Sequence, residues 1–417
     1  MNMRSMSPLI LFGAFDRHNL GDLLLGRIAA ALAEARVPGR PRLFAGAASR
    51  DLRAAGGAQV HALDVLLAHW RRASRRDPQR RHLDLLQVGG EILGCTAWEA
   101  AVMLESPERA AALIAAHDRD LGGREAWARQ HLGLGRALPY LASKAQLPGG
   151  SRIAHAGSGG VDFAHLPAAL RSAALADLRA AAVVHVRDRR TRDALAAAGI
   201  ATRLAPDPAV LVARVLGTAI DRHARAGEPA AVRARFPAGW VAIQVSAEFG
   251  DDATLGALAA GLDHLQRDTG LGLVLFCAGR APWHDDPAVL RRLRARLSAP
   301  ADCIVAASTH LLDLCALLAG CALCLASSLH ARIVAEAFAR PAASLFQPSA
   351  QGNKLQAYLE TWHADAPHLH PAEAAGPIRA AKAALAEPAP VRLKRAGRLA
   401  ARAEVALQRC LDALDAA

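Results

Sequence analysis

The 417-residue sequence is poor in aromatics: Phe, Trp and Tyr make up 4% of it, with two tyrosines in all. Any sizeable core must therefore be built from Ala, Leu and Val, and 53% of the residues are apolar, which is ample. No segment has the length or charge-free run of a membrane span. The N-terminus, MNMRSMSPLILFGAF, has too short an apolar region for a signal peptide and flows into a strand. The loop after that strand is neither a GxGxxG fingerprint nor a P-loop, so it offers no dinucleotide or Walker-type phosphate site. Cysteines number seven and sit mostly in apolar runs. Cys321 and Cys324 have CxxC spacing but flank a core strand with no second pair nearby, which reads as buried thiols rather than a zinc or redox pair. These absences describe a soluble cytoplasmic protein with no metal centre.

The length suits two α/β domains. Lys plus Arg number 50 against 38 Asp plus Glu, a net charge of +12 that favours anionic partners. The arginine clusters at 71–81 and 291–296 read as solvated helix faces. They carry no aromatic interleaving and no nucleic-acid module, so nucleic acid is not an expected partner.

Strands alternate with helices along the chain, in βα style. Leu9 to Phe15 is the first strand, and Asn19-Leu20-Gly21-Asp22 leads into a helix through Leu32. Gly21 allows close backbone approach, and Asp22 sits in the first turn, where a carboxylate suits the helix dipole. Asn19 and Asp22 are candidates for sugar hydroxyls, with capping as the alternative for Asp22. A strand near Leu43, a crossover helix from Val60 to Arg72 and a strand from Leu83 to Val88 follow. That last strand ends in Gly89-Gly90-Glu91, where paired glycines mark close approach and Glu91 can accept from a hydroxyl. After the strand Val183 to Val186, Arg187 is a fixed cation that can be aimed at an anion or paired with a neighbour. Asp207 follows in Pro206-Asp207-Pro208.

The Gly- and Pro-bearing stretch 226–239 reads as a linker between domains 1–225 and 240–390. The loop His284-Asp285-Asp286 reads as solvated rather than metal-binding. A basic amphipathic helix over 391–417 packs back across both domains in this reading, with peripheral association at a membrane face as the alternative.

The stretch Cys321 to Ala337 carries the strongest signal. An apolar strand ends at Ser327 and Ser328, whose hydroxyls suit the free N–H groups of a helix starting near Leu329. His330 and Arg332 then lie in the first helical turn, beyond the carboxyl end of a strand. Ligands bind at such places in open α/β sheets, and a helix N-terminus favours anions. An imidazole and a cation there suggest a phosphorylated substrate.

With these motifs placed, the chain resembles the polysaccharide pyruvyl transferase family. The resemblance rests on Asn19 to Asp22, Asp84 to Gly90, Val186-Arg187-Asp188 with Thr191, Pro206-Asp207, Ser327 to His330, Pro341 and Lys354, and spans Leu9 to about Leu359. It implies two Rossmann-like domains in a GT-B-like glycosyltransferase architecture, with the site in the interdomain cleft. It implies transfer of the pyruvyl group of phosphoenolpyruvate to two hydroxyls of a sugar, part of a surface polysaccharide or its lipid-linked precursor, giving a cyclic ketal without a cofactor. His330 and Asp22 would be catalytic. Asn19, Gly21, Gly89, Gly90, Glu91, Arg187, Ser328, Leu329, Arg332 and Lys354 would line the substrates. Many family members carry an arginine where this chain has Ser328, two residues before the histidine. Arg332 is the candidate replacement, although two helical steps of about 100° each turn it away. A GT-B-like glycosyltransferase using a nucleotide sugar, or a non-catalytic glycan-binding member, are the other readings.

Overall fold

The computed structural model describes residues 7–76, 82–117, 119–345, 353–363 and 377–416. It forms two compact units: Met1–His18, Asp22–Pro208 and Arg402–Ala417 make the first, and Asn19–Gly21 with Ala209–Ala401 the second.

Among the described residues, the first unit holds an eight-stranded sheet of order β3-β4-β2-β1-β5-β6-β7-β8. The strands are β1 Leu9–Phe12, β2 Arg42–Gly46, β3 Arg50–Asp51, β4 Gln59–Ala62, β5 Asp84–Val88, β6 Ile153–Ser158, β7 Val183–Val186 and β8 Arg203–Leu204. All pairs are parallel except β3 with β4. Fully buried β1 is an unbroken apolar run, as expected where helices cover both faces of a parallel sheet, and equally buried β5 adds Asp84 and Gln87 to its apolar residues. Helix α1 spans Leu20–Arg36 and α2 spans Leu63–Arg76. Val60 therefore belongs to β4, not to the crossover helix: Val60 is buried between exposed Gln59 and His61, the alternation of a strand. The helices α3 Ala97–Met103, α4 Pro107–His117, α5 Leu121–His131, α6 Ala168–Arg179 and α7 Arg189–Ala197 complete the unit.

The second unit has a five-stranded parallel sheet of order β11-β10-β9-β12-β13, with β9 Trp240–Gln244, β10 Gly272–Leu275, β11 Cys303–Val305, β12 Leu323–Ala326 and β13 Ala342–Ser344. Its helices are α8 Val212–His223, α9 Gly227–Arg235, α10 Asp252–Thr269, α11 Pro287–Ala295, α12 Leu311–Gly320, α13 Leu329–Ala337, α14 Lys354–Trp362 and α15 Pro377–Ala386. Helix α9 occupies the stretch expected to be a linker. Gly227 and Pro229 sit at its first turn, where proline is tolerated, and buried Val232 anchors it. The core is aliphatic, with Ile243, Leu262, Leu273, Leu290 and Leu325 all buried.

The last helix, α16, runs over Ala389–Asp415. Within the second unit Arg395 pairs with Glu387, 2.6 Å, and Arg392 Nε donates to Ala339 O. Within the first, Asp412 and Asp415 pair with Arg36, and Asp415 also pairs with Arg40. Leu407, Cys410, Leu411 and Leu414 are its buried face there. All seven cysteines are buried and free, and burial pushes the Cys321 thiol up to about 12. None of the described helices is long and apolar enough to cross a membrane.

Ile243 sits mid-strand in β9, between β10 and β12. Its replacement by alanine leaves a cavity that close-packed neighbours fill only in part, so Ile243→Ala is expected to lower unfolding free energy by about 2–5 kcal/mol. Urea denaturation of the full chain checks it.

Candidate functional site

In the second unit the site grows from the carboxyl ends of β9 and β12, neighbours in register with Gln244 opposite Ala326. Beyond Ala326 the chain turns, and Ser328 caps α13 by accepting from the Ala331 N–H at 3.3 Å. The Ser327 hydroxyl accepts from the Ser246 N–H at 3.0 Å. Both serines are thus occupied by backbone, as capping chemistry directs. Leu329 is buried and presents no side chain to a ligand.

Gln244 closes the gap between the strands. Its Oε1 accepts from the Ser328 N–H at 2.7 Å, and its Nε2 donates to Asp285 Oδ1 at 2.7 Å. Asp285 Oδ2 accepts from the N–H groups of Ala278, 2.6 Å, and Gly279, 3.4 Å. Asp285 is half-buried and donates nothing in these contacts. Burial pushes its carboxyl up to about 7, although these hydrogen bonds and the charge of Lys354 pull the other way. The loop expected to be solvated therefore contains a carboxyl that titrates near neutrality.

The segment Asn19–Gly21 lies against the same loop. The Leu20 N–H donates to Ala278 O at 2.6 Å, Asn19 bridges to Gly279, and Asn19 Oδ1 accepts from the Gly21 N–H at 2.9 Å. Gly21 packs flat on His330: a Cβ there would lie 1.9 Å from Nδ1. Only glycine fits, and His330 is held half-buried in the first turn of α13. Lys354, exposed, opens α14 next to its cap Asn353. Asn19, Gly21, Ser328, His330 and Lys354 thus share one unit with Gln244 and Asp285.

Arg332 departs from expectation. It is fully buried, its guanidinium bonded to Glu336 Oε1 at 3.1 and 3.0 Å and to Ser344 Oγ at 2.7 Å. Burial raises the Glu336 carboxyl, but Arg332 and His363 outweigh it and hold it well below the usual range. Arg332 is an internal ion-pair partner and presents no charge to solvent.

In the first unit a second set gathers beyond β1, β5, β6 and β7. Asp22 is buried and pairs with Arg17 at 2.8 Å. Gly89 and Gly90 have φ of 44° and 77°, the left-handed region that glycine enters without strain. A Cβ on Gly89 would meet Leu25 at 2.6 Å, and one on Gly90 would meet Asp22 Oδ1 at 3.3 Å. Glu91 accepts from the Val161 N–H at 2.7 Å and from Arg187 Nη2 at 2.6 Å. Arg187 Nη1 donates to Asp207 at 2.9 Å, and the guanidinium is 1% exposed. Burial opposes its charge, but Glu91 and Asp207 prevail and raise its pKa. Arg187 was expected at the donor anion; here it is a buried clamp between two carboxylates. Asp188 caps α7 through the Thr191 N–H, and the Thr191 hydroxyl accepts from the Gly160 N–H.

Sequence reasoning missed Gln244 and Asp285, whose roles depend on strands brought together by the sheet. It also missed His223, His310 and Asp313, whose candidate ligand atoms lie within 4.8 Å of one another. The two rings there stack at 4.8 Å and 6°. Lone pairs of stacked imidazoles run parallel and do not converge on one ion, and the Asp313 carboxylate bonds His223 Nδ1 at 2.6 Å and Ser308 Oγ at 2.7 Å. As arranged, this is a hydrogen-bonded cluster.

Two outcomes are expected. Arg187→Ala strands buried Asp207 and half-buried Glu91 and should cost about 3–5 kcal/mol in a denaturant titration. Asp285 holds a proton in the folded chain, between its ordinary 3.8 and about 7, that the unfolded chain has released. Its contribution to stability therefore falls as pH rises through that window. In urea titrations the stability gap between wild type and Asp285→Asn should be wider at pH 5 than at pH 8.

None of the curated proteins matches the chain by sequence. Solved structures match its fold. The S. aureus MnaA–UDP co-structure aligns with a TM-score of 0.56 at 11% identity, covering 97% of this chain and 95% of that one. UDP-GlcNAc 2-epimerase from Neisseria meningitidis, bound to UDP-GlcNAc, aligns with a TM-score of 0.54 at 11% identity, covering 98% and 99%. The Methanocaldococcus jannaschii UDP-GlcNAc 2-epimerase gives 0.50 at 12% identity, covering 91% and 92%. The fold is GT-B-like, with Rossmann-like units. The family match takes in Arg187, Asp207, Gln244, Asp285 and His330 and leaves Asn19 to Glu91 and Lys354 outside it. On this fold, residues 156–345 match the polysaccharide pyruvyl transferase family.

Proposed function

We propose that the chain is a transferase that moves the pyruvyl group of phosphoenolpyruvate onto two hydroxyls of a sugar in a surface polysaccharide or its lipid-linked precursor. The observation that supports this reading most is His330, held by Gly21 in the first turn of α13, inside the stretch that matches the family. In the reaction, a proton adds to the methylene carbon of the enol, making the adjacent carbon electrophilic. One sugar hydroxyl adds there, phosphate leaves with its C–O bond, and the second hydroxyl closes the ketal. Of the two hydroxyl protons, one balances the methyl group and the other departs with phosphate.

His330 is the proposed acid/base group, since a histidine suits proton transfer near neutrality. Lys354 and the N-terminus of α13 are the proposed partners of the phosphate, because both expected arginines are paired internally. We assign Asn19, which shares a unit with His330, to a sugar hydroxyl. No cofactor is invoked, and the cytoplasm, where phosphoenolpyruvate is made, is the proposed compartment. A nucleotide sugar is the second reading, favoured by the same loss of free arginines.

Titration with phosphoenolpyruvate and a panel of nucleotide sugars, followed by thermal unfolding, tests this. A ligand at about 100 times its Kd stabilises by roughly 2.7 kcal/mol. The expected result is stabilisation by phosphoenolpyruvate that is reduced in Lys354→Ala. His330→Ala should keep that binding and lose about 10²–10⁴-fold in turnover. Stabilisation by nucleotide sugars alone overturns the pyruvyl donor, and full turnover by His330→Ala overturns the site assignment.

A further inference from the structure

We infer that Asp285 is the positioning residue of this site, holding both supports of His330 through one carboxylate. The inference rests on the reading of His330 as the acid/base group. One oxygen of Asp285 holds Gln244, which holds the Ser328 N–H and so the cap of the helix that bears His330. The other oxygen holds the N–H groups of Ala278 and Gly279. Ala278 and Gly279 in turn hold Leu20 and Asn19, and Asn19 sets Gly21 against the imidazole. The helix and the glycine wall thus share one anchor.

The pattern of donors makes the anchor specific to a carboxylate. The Ser328 N–H can only donate, so Gln244 must turn its Oε1 toward it and its Nε2 toward Asp285. The Ala278 and Gly279 groups are also donors. Every partner facing residue 285 in this network therefore gives a hydrogen bond, and the residue must accept on both oxygens. Asparagine cannot do this: whichever way its amide turns, its NH₂ meets either Gln244 Nε2 or the two backbone N–H groups. Flipping Gln244 to relieve the first conflict moves the second onto Ser328, where two donors again face each other. A buried donor left in this way costs about 1–3 kcal/mol, enough to displace the turn rather than be endured in place. Glutamate keeps two accepting oxygens on a longer arm. The network calls for the ionised carboxylate, present above about pH 7, where Lys354 is the cation within its electrostatic reach, so the variants are compared at pH 8.

The test compares wild type, Asp285→Asn, Asp285→Glu and Gln244→Ala in the full chain. The imidazole resonances are read by NMR, with His330 assigned by its loss in His330→Ala. In Asp285→Asn the His330 signals should move, while those of distant His264 stay in place. With phosphoenolpyruvate and an accepted sugar, kcat should fall about tenfold to a hundredfold with KM for phosphoenolpyruvate little changed, the size expected of misplaced catalytic geometry. Asp285→Glu should recover part of it. If Asp285→Asn does not fold, Gln244→Ala, which removes the bridge from Asp285 to Ser328 and leaves the Ala278 and Gly279 bonds to Asp285, should move the same His330 signals. Unmoved His330 signals in the folded variants overturn the inference. The NMR arm needs no substrate, so an absence of phosphoenolpyruvate turnover in wild type counts against the proposed function and leaves this arm to decide the role of Asp285.

Discussion

Parallel strands β9 and β12 end together at Gln244 and Ala326, and the N–H groups just beyond them must find acceptors. The second unit meets this demand with side chains. The Gln244 side chain reaches across to Ser328, the Ser327 hydroxyl takes the Ser246 N–H, and Asp285 takes two more backbone donors. A glutamine at the last position of a buried strand can accept and donate at once, which is why it can serve both sides. The position of His330 follows from this arrangement. It is the first titratable side chain of a helix whose cap is tied to the central strand.

The first unit solves a related problem with charge. Arg187 is taken out of water by Glu91 and Asp207, as Arg332 is in the second unit by Glu336. Removing either arginine from such a pair strands a buried carboxylate, so the pairs act as registers that hold loops in one place. Arg187 draws the Glu91 loop toward β7, and Gly159 leaves room for it: a Cβ there would lie 2.5 Å from Glu91 Oε2 and 2.6 Å from Arg187 Nε. The two cations that looked most ready for a ligand are spent within the protein.

Much of the fold was legible because apolar runs bounded by glycine and proline mark buried parallel strands. Val183–Val186 and Lys354–Trp362 fall where the pattern places them. Val60 was read on the wrong period because β4 is short and leads directly into α2, so strand and helix patterns merge. The glycines of 226–239 suggested a linker, but glycine and proline at a helix start and glycine before a strand are equally at home there. Of the site residues, Gly21, Ser328 and His330 were legible from their place between strand and helix. Gln244 was read only as the end of a strand and Asp285 only as loop.

What the sequence by itself determined is local: where strands stop, which helix turn carries the histidine, and which glycines permit a close approach. These follow from periodicity, capping and backbone freedom, which act over a few residues. Only the tertiary structure decided which charges are spent and which remain. Arg187 finds Asp207, and Gln244 finds both Asp285 and Ser328, because parallel strands distant in sequence lie about 5 Å apart in the sheet. An arginine at a strand end looks the same in sequence whether it faces a carboxylate or a ligand. The fold alone brings the partner that settles it.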